Sequence, residues 1–289
     1  MDFKLLEKWI SDYLKKDFSI QQSQSIGGGC INEAYRICGD DSEYFVKINQ
    51  ASKLSMFEAE MDGLNAMLES ASISVPKPIL CQQDRQHAYL VMEYIELGGS
   101  GDAYLMGQQL ATMHQHKTDT FGWHRDNTIG STLQINSPSS NWIDFWRKQR
   151  LGYQIELAAS RGIGERVVSL CTQLADRLED FFRDYHPQPS LLHGDLWSGN
   201  AAFRSTGEPV IFDPACYFGD READLAMTEL FGGFGAEFYR GYNDIWPVDE
   251  GYEIRKVLYN QYHILNHFNL FGGSYGSQAL RMTEKLLAA

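Results

Sequence analysis

The sequence predicts an α+β protein of two lobes, a small antiparallel sheet followed by a mainly helical region. Three observations predict it. Between residues 18 and 95 the apolar runs are short, rich in β-branched and aromatic residues and bounded by turn formers, with one helical stretch among them. From residue 101 onward apolar residues recur at helical spacing over longer segments. The chain has 289 residues, 43% hydrophobic and 13% aromatic, enough to bury the cores of two lobes, expected at 1–95 and 96–289.

The opening MDFKLLEKWISDYLKK reads as an amphipathic helix with Leu6, Trp9, Ile10 and Tyr13 on one face. It is charged throughout, which argues against a signal peptide, and no later stretch is apolar for long enough to span a membrane. Strands are expected over 18–26, 34–38, 44–49, 78–81 and 88–94, with a turn at Gly39-Asp40-Asp41. A helix over 53–69 carries Met56, Leu64, Met67 and Leu68 and stops before Val75-Pro76-Lys77-Pro78. After the apolar run 89–95 and Gly98-Gly99, helices are expected over 101–116, 141–161 with Asn141 as N-cap, 165–185, 252–270 and 276–287. The stretch 118–140, rich in Gly, Asn, Ser and Thr, is long for a structureless loop and is therefore either functional or disordered. His114 and His116 are expected to be one packed and one solvated residue rather than ligands, because positions i and i+2 do not share a helix face.

A net charge of −13 and a pI near 5.0 argue against nucleic acid or an anionic membrane as partner, and suit an amine-bearing substrate better. The five cysteines, Cys30, Cys38, Cys81, Cys171 and Cys216, are odd in number and scattered, with no C-x-x-C pair. Neither a disulfide framework nor a zinc site follows, and a reducing cytoplasm is the expected location.

The chemistry is expected in 191–214, LLHGDLWSGNAAFRSTGEPVIFDP. It contains H-G-D-x-x-x-x-N and, closing the apolar run Val210-Ile211-Phe212, a further aspartate. That is a phosphoryl-transfer pattern. Asp195 is placed to accept the proton of an attacking hydroxyl, while Asn200 and Asp213 offer hard oxygen ligands for Mg²⁺. Trp197, between base and metal ligand, offers a flat apolar face to an acceptor, with a core tryptophan as the alternative. Upstream, Gly27-Gly28-Gly29 would let backbone N–H groups approach phosphates, although the loop departs from G-x-G-x-x-G and a plain hairpin turn competes. Lys47 lies in an apolar strand ahead of a helix bearing Glu58 and Glu60, which suggests a phosphate-binding lysine paired with a glutamate; an outward-facing lysine is the alternative. Cys30 directly follows the glycines, where N–H groups and a nearby lysine would stabilise a thiolate.

HGDLWSGN followed by IFDPACYFGDREADLAM resembles the fructosamine kinase (ketoamine 3-kinase) family, relatives of aminoglycoside and choline kinases with a protein-kinase-like fold. The resemblance runs nearly end to end. It implies ATP and Mg²⁺ as cofactors and a ketoamine of fructosamine or ribulosamine type, free or protein-attached, phosphorylated on the sugar C3 hydroxyl so that the adduct is shed. It implies Glu60 rather than Glu58 as the partner of Lys47. Glu93, Tyr94 and Ile95 become the hinge, with the Glu93 carbonyl and the Ile95 N–H on the adenine edge. By the same resemblance Asp224 is buried and accepts backbone N–H bonds from the catalytic loop, residues 121–131 lie beside the acceptor, and Cys30 is oxidation-sensitive, making the chain a monomer or a redox-linked dimer. Trp197 stands where protein Ser/Thr kinases carry lysine, and no D-F-G to A-P-E segment follows Asp213, which argues against protein hydroxyls as acceptors. A kinase of another small alcohol, such as an aminoglycoside, choline or a thiosugar, remains an alternative, as does a nucleotide-binding pseudokinase.

Overall fold

The computed structural model describes residues 2–27, 32–39 and 42–289. Along the chain come α1 (Phe3–Leu14), β1 (Gln22–Ile26), β2 (Glu33–Gly39), β3 (Ser42–Gln50), α2 (Leu54–Ser70), β4 (Pro78–Gln83), β5 (His87–Glu93) and β6 (Leu97–Gly98). Then follow α3 (Ala103–His114), β7 (Asn127–Ile129), β8 (Thr132–Gln134), α4 (Trp142–Phe145), α5 (Tyr153–Ser160) and α6 (Glu165–Asp176). The last part holds β9 (Ser190–Leu192), β10 (Ala201–Arg204), β11 (Pro209–Ile211), β12 (Tyr217–Gly219), α7 (Glu222–Leu230), α8 (Ala236–Ile245), α9 (Tyr252–Phe271) and α10 (Tyr275–Leu287). These fall into two compact units, Met1–Asp102 with Ala202–Phe212, and Ala103–Ala201 with Asp213–Ala289.

In the first unit, five antiparallel strands pair in the order β1-β2-β3-β5-β4. Side chains alternate across a strand, so Tyr44, Val46 and Ile48 of β3 share one face, where they form a core with Leu6 and Ile10 of α1. The opposite face carries Lys47, which the same alternation turns away from that core. Of the face expected on α1, Leu6 and Ile10 are fully buried, whereas Tyr13 is 43% exposed. The first strand starts four residues later than expected. Phe18 and Ile20 spend their N–H groups on α1 instead: Phe18 N–H donates to Ser11 Oγ (2.9 Å) and Ile20 N–H to Glu7 Oε1 (2.7 Å). Although late in sequence, β10 and β11 belong to this unit, pairing with β6 in the order β11-β10-β6. Arg204 of β10 ties them in by donating to Glu93 Oε1 (3.2 Å) and to Ser74 Oγ (2.9 and 3.1 Å).

The second unit is mainly helical. Asn141 caps α4 as expected, its side chain accepting the Asp144 N–H at 2.9 Å. The expected helix over 141–161 is not uniform, because Trp146–Gly152 is π-helical between α4 and α5. The helix expected over 165–185 stops at Asp176 and continues only as a 3₁₀ stretch, Leu178–Phe182. Segment 118–140 is ordered: β7 and β8 form a hairpin turning at Gly130 (φ +61°), and Asn127, Thr132, Gln134 and Asn136 within it are all buried. Helix α8 carries no expectation above; Gly235 precedes it and Gly241 lies inside it. Gly241 serves contact. A Cβ there would meet the Tyr104 carbonyl oxygen at 2.0 Å, so α3 and α8 pack backbone to backbone. Among the described residues, no helix is long and apolar enough to cross a membrane.

Candidate active site

In the second unit, β9 pairs with β12, Leu192 opposite Tyr217, and the chain leaves β9 directly into His193-Gly194-Asp195. Gly194 adopts φ +83°, and a Cβ there would lie 2.1 Å from the Ala215 carbonyl oxygen, so glycine is required on both counts. The Ala215 N–H donates to the His193 carbonyl (2.8 Å), joining the loop that carries Asp195 to the one that carries Asp213. Beneath this junction lies Asp224 of α7, 1% exposed, accepting the N–H of His193 on Oδ2 (2.7 Å) and that of Gly194 on Oδ1 (2.8 Å). It is not the exposed acid of a helix start. His114 Nε2 also hydrogen-bonds Asp224 Oδ2 (3.2 Å), and its Nδ1 pairs with the Tyr242 hydroxyl (2.8 Å). Burial alone would raise the Asp224 carboxyl; the His114 hydrogen bond and charge, the His193 charge and the Gly194 N–H outweigh it and hold the group below its usual value.

Asp195 differs. Part of it reaches solvent, yet burial of its carboxyl and the charges of Asp213 and Asp224 push it up to about 7, against a hydrogen bond from Asn200. Asn200 Nδ2 donates to the Asp195 carbonyl (2.9 Å) and lies 3.4 Å from its Oδ2. That fixes the amide, so its Oδ1 faces the other way as a hard oxygen. Asp213 stands at φ +60°, and the other described non-glycine residues with positive φ, Lys15 and Ala71, both end helices. Asp is one of few residues that tolerate this conformation. No group of three or more His, Cys, Asp or Glu able to hold a metal exists among the described residues. The oxygens of Asn200 and Asp213 fit Mg²⁺, which takes few protein ligands and completes its shell with water and phosphate.

Trp197 is 38% exposed, edge-on to Phe231 with ring centroids 6.3 Å apart, so a core tryptophan is excluded. Its indole lies over Gly199, where a Cβ would meet the ring at 2.3 Å. In the first unit Lys47 is 6% exposed and its Nζ meets Glu60 Oε1 at 2.5 Å, which removes the outward-facing alternative. Glu93 ends β5, its N–H donating to the Lys77 carbonyl (2.8 Å); the Tyr94 ring lies under Arg36 (4.4 Å to the centroid), and Ile95 follows. Gly27 ends the described stretch after β1, and Gly28, Gly29 and Cys30 lie outside the described residues.

Sequence reasoning missed His114 as a partner of Asp224, and it missed the buried charges around α7. Arg255 binds Glu222 through Nε (2.7 Å) and Nη2 (3.0 Å), while Asp220 accepts from Tyr185 (2.8 Å) and Tyr259 hydroxyls. The available signal was the charge density of Gly219-Asp220-Arg221-Glu222-Ala223-Asp224 at a helix start, too crowded to be solvated cheaply if the helix is buried.

A lysine on an antiparallel sheet paired with a glutamate on α2, with Asp195, Asn200 and Asp213 on braced loops of a helical unit, define the parts of a protein-kinase-like phosphotransferase. The fructosamine kinase profile matches residues 2–289. The chain belongs to the fructosamine kinase family. It is 48% identical over 288 residues to a protein of Synechocystis sp. named a probable ketoamine kinase, covering 99% of this chain and 97% of that one. It is 44% identical over 276 residues to the chloroplastic protein-ribulosamine 3-kinase of Arabidopsis thaliana, covering 94% and 84%. A crystal structure of a candidate fructosamine-3-kinase from Haemophilus somnus 129PT superposes with a TM-score of 0.89 at 29% identity, over 98% of this chain and 96% of the other. The ADP-bound aminoglycoside phosphotransferase APH(2'')-Ib gives 0.65 at 16% identity over 96% and 98%, a likeness of fold alone.

Proposed function

We propose that this protein is an ATP-dependent ketoamine kinase that passes the γ-phosphoryl group to the C3 hydroxyl of a ketose joined to an amine, of fructosamine or ribulosamine type. The observation that carries this reading is the loop 193–200, which holds a half-buried carboxylate on braced backbone two residues from an exposed indole. Asp195 takes the hydroxyl proton as the oxygen attacks phosphorus, and ADP leaves with the electrons of the broken P–O bond. Asn200 and Asp213 would hold Mg²⁺, which when bound neutralises the charge of the triphosphate. Trp197 receives the C–H face of the sugar. From the first unit, Lys47 with Glu60 serves the α- and β-phosphates, the glycines at 27–29 cover them, and the backbone of Glu93, Tyr94 and Ile95 takes the adenine edge. Phosphorylation at C3 makes the adduct labile, so the outcome is deglycation of the amine carrier, free or protein-bound.

A reducing compartment such as the cytoplasm suits Cys38, Cys81, Cys171 and Cys216 as reduced thiols. Cys30 is the oxidation-sensitive thiol of this reading. Peroxide is expected to inhibit the wild type reversibly by dithiothreitol and to spare Cys30→Ala; equal sensitivity of both would remove that role. The decisive experiment measures ADP release with fructosyl-lysine, ribulosyl-lysine, an aminoglycoside, choline and a thiosugar. Turnover confined to the two ketoamines is expected, and preference for any of the others would overturn the substrate class.

A further inference from the structure

The segment 118–140 takes no part in the chemistry above, yet Gln134 and Asn136 are each 1% exposed and Asn127 is 6% exposed. Buried amides are expected to be hydrogen-bonded, and these are, in one directed chain. It begins at Arg150, fully buried in the π-helical segment, whose guanidinium lies 4.1 Å from the centroid of Tyr217 and 4.5 Å from that of Phe145. Arg150 Nη2 donates to Asn136 Oδ1 at 2.7 Å. An arginine can only donate, so Asn136 must point its oxygen there and its NH₂ the other way, to Asn127 Oδ1 at 2.9 Å. Asn127 Oδ1 also accepts from Gln134 Nε2 (2.8 Å), so the Asn127 NH₂ is left to donate to the Cys216 carbonyl at 2.7 Å. Gln134 is fixed from the other side, because Tyr262 donates its hydroxyl to Oε1 (2.8 Å), and Nε2 then also reaches the Ala215 carbonyl at 3.0 Å. No amide in the chain can flip without setting oxygen against oxygen or donor against donor.

The chain therefore ends on two consecutive carbonyls directly after Asp213-Pro214. Ala215 is already held through its N–H by His193 and pressed against Gly194. A residue at positive φ persists in a strained turn only where its surroundings over-determine it. We propose that Asn127 and Gln134 are positioning residues that hold the Asp213 carboxylate in place through the Ala215 and Cys216 carbonyls, with Arg150 setting the direction of the amides. This rests on the reading of Asp213 as a metal ligand. Outer partners that orient a metal ligand commonly govern about 10–100-fold in metal affinity.

The test uses the uncharged, near-isosteric changes Asn127→Leu and Gln134→Met in the full chain. Mn²⁺ binding at saturating ADP is followed by electron paramagnetic resonance, ADP binding in EDTA by calorimetry, and folding by Tm. Asn269→Leu is the control, since Asn269 donates to Gln154 Oε1 (2.7 Å) in a buried amide pair that meets this chain at the Tyr262 hydroxyl and makes no bond to Ala215 or Cys216. Both test variants are expected to raise the Mn²⁺ Kd by about 10–100-fold and leave ADP binding in EDTA unchanged, while Asn269→Leu keeps the wild-type Mn²⁺ Kd despite a lower Tm. Tyr262→Phe removes the far anchor of Gln134, together with the hydrogen bond that the same hydroxyl shares with Gln154, and is expected to give a smaller rise in the same direction, which keeps the test decisive should the larger changes unfold the protein. Wild-type Mn²⁺ affinity in the test variants, or an equal loss in Asn269→Leu, overturns the proposal. Asp213→Asn separates the two readings: if it weakens Mn²⁺ and the test variants do not, only the positioning role falls, and if it leaves Mn²⁺ unaffected the metal-ligand reading falls and this role with it.

Discussion

Asp195 and Asp224 are two carboxylates of one junction whose environments drive them apart. Burial and the charges of Asp213 and Asp224 raise Asp195 to about 7, so it is protonated below that value and ionised above it. Only the ionised form accepts a proton, and kcat/KM for the acceptor is expected to fall as the pH drops through this value. A bound cation favours the carboxylate, so the inflection in kcat at saturating Mg²⁺–ATP is expected lower. A flat profile from about pH 5 to about pH 8 would dismiss Asp195 as the base. Asp195→Asn is expected to cost about 10²–10⁴ in kcat with ATP affinity retained, measured by single-turnover phosphoryl transfer and calorimetry. Trp197→Ala is expected to raise the acceptor KM far more than the ATP KM, and equal losses on both would remove the indole from the acceptor site.

At the scale of elements, α7 supports the catalytic loop through one side chain. Asp224→Asn sets an NH₂ against N–H donors it cannot accept from, at a cost of roughly 3 kcal/mol for buried donors left unsatisfied. The folded Asp224 carboxyl lies below its unfolded value, so its contribution is complete above about 3.9 and is lost as the pH falls through the folded value. Urea unfolding is expected to show a large gap between wild type and Asp224→Asn near neutrality that closes in acid; a gap independent of pH would refute the linkage. The sequence announced most of this region. The H-G-D-x-x-x-x-N run is read from local spacing alone, and the alternation of β3 foretold two faces, though not which one Lys47 takes. His114, Arg150 and the buried amides of 127–136 were not legible. Their partners lie far along the chain, Asn127 bonding to Cys216 and His114 to Asp224, and polar composition in a loop reads as solvated until its neighbours are known.

For the whole molecule, the division into units is not a single cut. Ala202–Phe212 leaves the second unit between two of its site residues, Asn200 and Asp213, to complete the sheet around β6 and to reach Ser74 and Glu93. Sequence-local reasoning placed the boundary at residue 95 because short strands give way there to helical spacing, and that change of pattern does not register a later two-strand excursion. A ligand that binds only the folded chain stabilises all of it: Mg²⁺–ADP at 100 times its Kd is worth about 2.7 kcal/mol. Thermal unfolding is expected to shift upward with Mg²⁺–ADP and to lose most of that shift in EDTA, and an equal shift without metal would argue against Asn200 and Asp213 as metal ligands.

The absence of a side chain at Gly199 leaves the Trp197 indole room to lie flat. The backbone there is not in the left-handed region, so alanine can be accommodated at little conformational cost, and the atoms it meets belong to a half-exposed ring. On the proposed reading, position 199 is therefore a dial: a single methyl would tilt the indole offered to the sugar while Asp195, Asn200, Asp213 and the Asp224 brace stay where they are. A lineage could drift from one acceptor to another through this residue without passing through an inactive intermediate, and a library at Gly199 is the shortest route to an enzyme of altered taste.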